Sequence, residues 1–126
     1  MNVKKKILIN TNNVVAALEL KNICEHLEYS SILYKASLED LKPIIKSLRP
    51  SILMTDIKIT AGQDIISEAE KVYNEINLPI IFFTIEPAVS FENRMSGGNS
   101  VILTLPFTGE EIIHSINILA ENSEYF

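Results

Sequence analysis

Five short apolar runs punctuate the chain, at residues 7–9, 32–34, 52–54, 80–83 and 101–103. Each is continuous instead of alternating, the pattern of strands buried on both faces. Between them, apolar residues recur at helical spacing. Ala16, Leu20, Ile23 and Leu27 form one stripe, and Leu38, Leu41, Ile45 and Leu48 a second. Ile65, Ile66, Ala69, Val72, Tyr73 and Ile76 form a third, and Ile112, Ile113, Ile116, Leu119 and Ala120 the last. One-sided stripes of this kind pack on a sheet. A weaker helix is expected over 88–96, where Val89, Phe91 and Met95 are the residues available for burial.

Local punctuation agrees with this division. Pro50 and Pro79 each precede an apolar run, where a missing ladder donor is tolerated. Ser37-Leu38-Glu39-Asp40 and Thr108-Gly109-Glu110-Glu111 both offer a hydroxyl cap with a carboxylate three residues on. Pro87 suits a first helical turn and Gly97-Gly98 a helix end. With Ser37 as the cap, Pro43 falls beyond the first turn, so a late start or a kink is expected there. Strict alternation of strand and helix implies a parallel sheet with helices on both faces. Such sheets carry their ligands at the carboxyl ends of the strands. Candidate chemistry therefore falls in 10–13, 55–63, 84–87 and 104–108.

Length and charge narrow the picture. The 126 residues suffice for one domain, 1–126, with a full hydrophobic core. Sixteen acidic against eleven basic residues leave a formal charge of −5, which argues against nucleic acid as a partner. The single Cys24 excludes an internal disulfide and a Cys-rich zinc site, and fits a reducing compartment. Lys4-Lys5-Lys6 is followed by only three apolar residues, short of the roughly 7–15 of a secretory signal. No run approaches the ~20 apolar residues of a membrane span. The expectation is a cytoplasmic protein with no membrane partner.

Gly62 is the first glycine in the chain. The turn after the first strand therefore lacks the glycines through which dinucleotide-binding and P-loop backbones approach phosphate. Asn10-Thr11-Asn12-Asn13 does place polar groups ahead of a helix start, leaving a flavin-binding electron carrier as a remote alternative. Asp56 closes the third apolar run. On its own, an aspartate there reads either as a turn cap or as a functional carboxylate.

Four segments taken together bear on that choice: Lys6-Ile7-Leu8-Ile9, Arg49 through Asp56, Leu78-Pro79-Ile80-Ile81-Phe82-Phe83-Thr84, and Leu105-Pro106-Phe107-Thr108. In order and spacing the chain resembles the receiver domains of bacterial two-component response regulators. The resemblance implies a flavodoxin-like, doubly wound α/β fold with a five-stranded parallel sheet of order 2-1-3-4-5. It implies that Asp56 matches the aspartate that accepts a phosphoryl group from a histidine kinase, and Thr84 the hydroxyl that hydrogen-bonds the product. Pro106 matches the proline of a Lys-Pro pair, which implies a cis Leu105–Pro106 bond. Mg2+ would be held by Asp56, by Asn12 and by the backbone carbonyl of Lys58.

Two departures weaken that chemistry. The family's acidic pair falls on Thr11 and Asn12, and its strand-five lysine falls on Leu105. One carboxylate is a poor anchor for a divalent ion, and no ammonium remains to offset charge on the phosphoryl oxygens. Ile85 is bulky where the family has a small residue and is expected to narrow access to Asp56. Ile102 stands where the family often has a switching aromatic. Lys58, two residues after Asp56, is either a substitute cation or a solvated side chain. Glu86, at the mouth of the site, would either hold a metal through water or repel phosphate.

The remaining polar landmarks read as structural. Cys24 is expected in the core, His26 and His114 on helix surfaces, and Lys4-Lys5-Lys6 as a solvated lead-in. The expected function is an atypical receiver domain, not an enzyme. It would act mainly as a protein–protein signalling module with weak or no metal-dependent phosphorylation. A functional phospho-acceptor using Asp56 is the alternative. Partners would be a histidine kinase or another signalling protein, with a homodimer through the fourth helix, fifth strand and fifth helix. Ile118 and Tyr125 are candidate exposed apolar contacts on that surface.

Overall fold

Parallel strands at the centre of a sheet need apolar side chains on both faces, and three of the apolar runs meet that demand. The computed structural model describes residues 5–57, 64–85 and 99–122. Within them, β1 (Lys6–Asn10), β3 (Ile52–Asp56) and β4 (Ile80–Thr84) are buried almost throughout. They are flanked by β2 (Ser30–Tyr34) and β5 (Ser100–Thr104), giving an all-parallel sheet of order β2-β1-β3-β4-β5. The anticipated topology is the one observed. The two edge strands are only partly buried, and β2 exposes Leu33 and Tyr34, because an edge lacks one neighbour.

Four described helices cover the faces: α1 (Val14–His26), α2 (Leu38–Leu48), α3 (Ile65–Ile76) and α4 (Gly109–Asn122). Alternation along each strand sorts the core into two layers. Ile7, Ile9, Ile52, Met54, Ile81 and Phe83 point toward α1 and α4, where they meet Leu20, Cys24, Ile112, Ile116 and Leu119. Leu8, Leu53, Ile80 and Phe82 point the other way, onto Leu41 of α2 and Ala69 of α3. No described helix is long and apolar enough to cross a membrane. The expected helix over 88–96, together with Pro87, Gly97 and Gly98, lies outside the described residues.

Helix ends follow their sequence signals closely. Ser37 Oγ accepts from the Asp40 N–H (3.2 Å) and opens α2 where expected. Thr108 and Glu111 form a reciprocal box: the Thr108 N–H donates to Glu111 Oε1 (2.8 Å), and the Glu111 N–H to Thr108 Oγ1 (3.1 Å). At the end of α1, the Tyr29 N–H reaches the Cys24 carbonyl (2.9 Å) and the Glu28 N–H the Glu25 carbonyl (3.0 Å). This is a Schellman closure with Glu28 at φ 68°, a position glycine usually takes.

Three local expectations need correction. Pro43 does not delay α2, which begins at Leu38 and runs through the proline. The Ser37 cap and the burial of Leu41 secure the first turn, and the carbonyl that loses its donor belongs to exposed Glu39. Lys6 is not merely solvated, since its Nζ donates to the Leu48 carbonyl (3.3 Å) at the end of α2. Ile118 is half-buried, whereas Ile113 from the same helix is exposed, because the core stripe runs through Ile112, Ile116 and Leu119. Tyr125 lies outside the described residues. Cys24 is fully buried and His26 and His114 are exposed, as anticipated.

Candidate functional site

The carboxyl ends of β1 and β3 lie side by side, with Asn10 paired to Thr55 in the ladder. Asn10 is buried, and a buried amide must find partners. Its Nδ2 donates to the Ala36 carbonyl (3.1 Å) and to Thr55 Oγ1 (3.1 Å), while its Oδ1 accepts from the Ala36 N–H (2.8 Å). One side chain thus ties together the end of β1, the end of β3 and the turn between β2 and α2. On this clamp the next residue of each strand is presented.

Those residues are Thr11 and Asp56, and they meet. Thr11 Oγ1 lies 3.0 Å from Asp56 Oδ1 and 2.9 Å from Oδ2, so its one proton is shared across both carboxylate oxygens. The Asn12 N–H donates to Oδ2 as well (3.0 Å). Thr11 Oγ1 also accepts from the Asn13 N–H (3.1 Å), and Asn13 Oδ1 caps α1 at the Ala16 N–H (3.0 Å). The first turn of α1 contains no acidic residue. Asp56 supplies that anion from another strand, next to the partial positive charge of the helix start.

Thr84 ends β4, buried, one residue beyond the Phe83 that pairs with Asp56. Its carbonyl accepts from the Leu105 N–H (2.8 Å). Leu105 packs against the core that lies under α1 and α4, and the Leu105–Pro106 bond is cis. Ile102 of β5 packs on the opposite core, against the layer of Leu41 and Phe82. Ile85 is 80% exposed, so it does not close over Asp56 as its bulk suggested. It follows the last residue of the strand and turns to solvent. Lys58 and Glu86 lie outside the described residues. A cleft of about 480 Å³ opens beside Asp56, walled by Asn12, Lys35, Ser37, Leu41, Ile57 and Glu68.

The groups around Asp56 can be tested for a divalent metal. A metal needs lone pairs, preferably from more than one carboxylate. Here the described neighbours of the carboxylate present an O–H and an N–H, which suit an anion and compete with a cation for its oxygens. Among the described residues no group of three or more His, Cys, Asp or Glu side chains could hold a metal ion. The described donor set does not fit Mg2+.

The fold itself has clear relatives among solved structures. A response regulator receiver protein from Sinorhizobium medicae superposes with a TM-score of 0.69 at 22% identity, covering 95% of this chain and 98% of the other. This is the response-regulator receiver fold. The receiver domain of a modulated diguanylate cyclase from Desulfovibrio desulfuricans matches at TM-score 0.67 and 25% identity, over 95% and 97% of the two chains. The receiver domain of PhyR from Erythrobacter litoralis matches at 0.69 and 16% identity, over 96% and 93%. No protein-family model and no curated protein matches the chain by sequence.

On the receiver fold, three of the anticipated residues stand at the carboxyl edge of the sheet: Asp56, Thr84 and, in the turn after β1, Asn12. The side chain of Asn12 is exposed, and its described contact with Asp56 runs through its backbone N–H. From sequence, Thr11 reads as a lost carboxylate, and Asn10 reads only as a polar group ahead of a helix start, not as a clamp. A signal for Asn10 was present: a polar residue directly continuing a buried strand has to be hydrogen-bonded. The role of Thr11 depends on a contact 45 residues away in sequence and had no local signature.

Proposed function

We propose that this chain is a receiver-type signalling module, not a classical enzyme. It acts mainly by docking to other proteins, with weak or no metal-dependent phosphoryl transfer at Asp56. The observation that carries this reading is the polarity around Asp56. Its oxygens are engaged by Thr11 Oγ1 and the Asn12 N–H, and the position that the family resemblance gives to a cation is Leu105, whose side chain packs into the core. The partner is a histidine kinase or another phosphorelay protein. Self-association would use the β5 edge and α4, where Ile113 is exposed. A signalling module whose one cysteine is a free thiol fits the cytoplasm.

The test is incubation of the intact chain with acetyl phosphate and Mg2+, followed by intact-mass measurement. The expected result is no phosphoryl adduct, and no chemical-shift change at residues 10–13 with beryllofluoride. A single adduct that disappears in Asp56→Asn overturns the docking reading in favour of a working phospho-acceptor. That second reading is supported by the partial exposure of Asp56 and the position of Thr84 on the adjacent strand. In it, an Asp56 oxygen attacks phosphorus, the donor's leaving group departs, and Thr84 and Lys58 steady the product.

A further inference from the structure

We propose that Thr11 is the positioning residue of Asp56, and that the pair forms a latch on the start of α1. The inference concerns the same carboxylate as the docking reading but requires no phosphoryl transfer.

Three features of the geometry carry it. First, Thr11 Oγ1 faces both Asp56 oxygens, at 3.0 and 2.9 Å, which fixes the rotation of the carboxylate as well as its place. A donor to one oxygen alone would leave that rotation free. Second, the same hydroxyl accepts from the Asn13 N–H, so a single buried atom group joins Asp56 to the N-cap residue of α1. Third, the Asn12 N–H closes a second link to Oδ2, and Asn13 then caps Ala16. The chain of contacts runs from Asp56 to the first turn without a gap. Bonds of this type, with an ionised acceptor, are stronger than neutral ones.

The latch has a readable output. The first turns of α1 expose Val14, Val15 and Leu18, at 66%, 67% and 52%. These residues follow the capped Asn13 directly, so the placement of that apolar patch depends on the contact with Asp56. A change that occupies or neutralises the Asp56 oxygens weakens their hold on the Asn12 N–H and the Thr11 hydroxyl, because the ionised acceptor is lost.

The experiment is nuclear magnetic resonance on the full chain, comparing wild type with Thr11→Val, Thr11→Ser and Asp56→Asn. Side-chain couplings report the Asp56 rotamer, and amide hydrogen exchange reports the Asn12 and Asn13 N–H groups. Wild type and Thr11→Ser are expected to hold Asp56 in one rotamer. Thr11→Val is expected to average it and to speed exchange by about tenfold or more at Asn13, whose N–H loses its acceptor, and at Asn12, whose acceptor Asp56 loses the charge-assisted bond that orients it. Asp56→Asn should speed exchange at Asn12 by a similar factor, while amides in the middle of α1, from Leu20 to Cys24, stay as in wild type. The double variant should add little to either single one. The proposal is overturned if Thr11→Val leaves the Asp56 couplings unaveraged, if Thr11→Ser behaves like Thr11→Val, or if exchange rises equally along all of α1. Should Thr11→Val not fold, Asp56→Asn reads the same contact from its other side. Because no phosphate donor is present, a failure here is distinct from a failure of the docking reading.

Discussion

Removing the amide of Asn10 tests whether the candidate site rests on a clamp or merely on strand pairing. Asn10→Ala deletes three hydrogen bonds, two to the Ala36 backbone and one to Thr55 Oγ1. Each is worth about 1 kcal/mol net, and the Ala36 groups are half-buried, so water recovers part of the loss. The expected cost is about 2–3 kcal/mol, or a fall in Tm of about 10 °C for a domain of this size. Urea unfolding should show a lowered midpoint with an unchanged m-value. Asn10→Asp keeps the shape but sets carboxylate lone pairs against the Ala36 carbonyl, so it should cost at least as much near neutral pH. Asn12→Ala is the matched control. Its side chain is exposed and its contact with Asp56 is through the backbone, so its cost should stay within about 0.5 kcal/mol. Equal costs for Asn10→Ala and Asn12→Ala would refute the reasoning, since the polar network would then contribute nothing beyond the ladder.

Other outcomes follow from the same geometry. Burial, with a smaller contribution from Glu25, pushes the Cys24 thiol up to about 12. Native protein at pH 8 should therefore resist a thiol reagent that labels the unfolded chain at once. Burial also raises the Tyr29 phenol. Both groups hold their protons more tightly when folded, so their contribution is complete below the unfolded pKa values and is lost as pH rises through the folded ones. For Cys24, stability should fall between roughly pH 9 and 12, by up to about 1.4 kcal/mol per pH unit; a flat urea midpoint over that range would contradict it. Glu28→Gly relieves a left-handed backbone and should raise stability by about 1 kcal/mol, read as a Tm gain of about 4 °C. Magnesium titration followed by amide shifts should show no saturable response in wild type, and a response at residues 10–13 in a Thr11→Asp, Asn12→Asp variant; saturation in the wild type would show that one carboxylate suffices.

Much of the architecture was legible because it depends on local chemistry repeated along the chain. Continuous apolar runs marked the buried strands, one-sided stripes marked the helices, and Ser37 and Thr108 marked helix starts through bonds made within three residues. The late start expected from Pro43 does not occur, because the Ser37 cap and the burial of Leu41 hold the first turn. Ile113 and Ile118 exchanged their expected exposure because a stripe four residues wide does not say which of its margins meets the sheet.

The candidate site divides along the same line. Asp56 and Thr84 stand at strand ends, and strand ends follow from hydrophobic pattern, so sequence alone placed them at the edge where parallel sheets bind ligands. What surrounds Asp56 was decided by folding. The Thr11 hydroxyl, the Asn12 N–H and the Asn10 clamp join segments 26 to 45 residues apart, and hydrogen-bond direction is set by the distances and angles that packing imposes. Residue identity determined that Asp56 faces uncharged Thr11 and Asn12 in the turn after β1. Only the juxtaposition of β1 and β3 turned those neighbours into donors aimed at it, because polarity belongs to the residue and orientation to the fold.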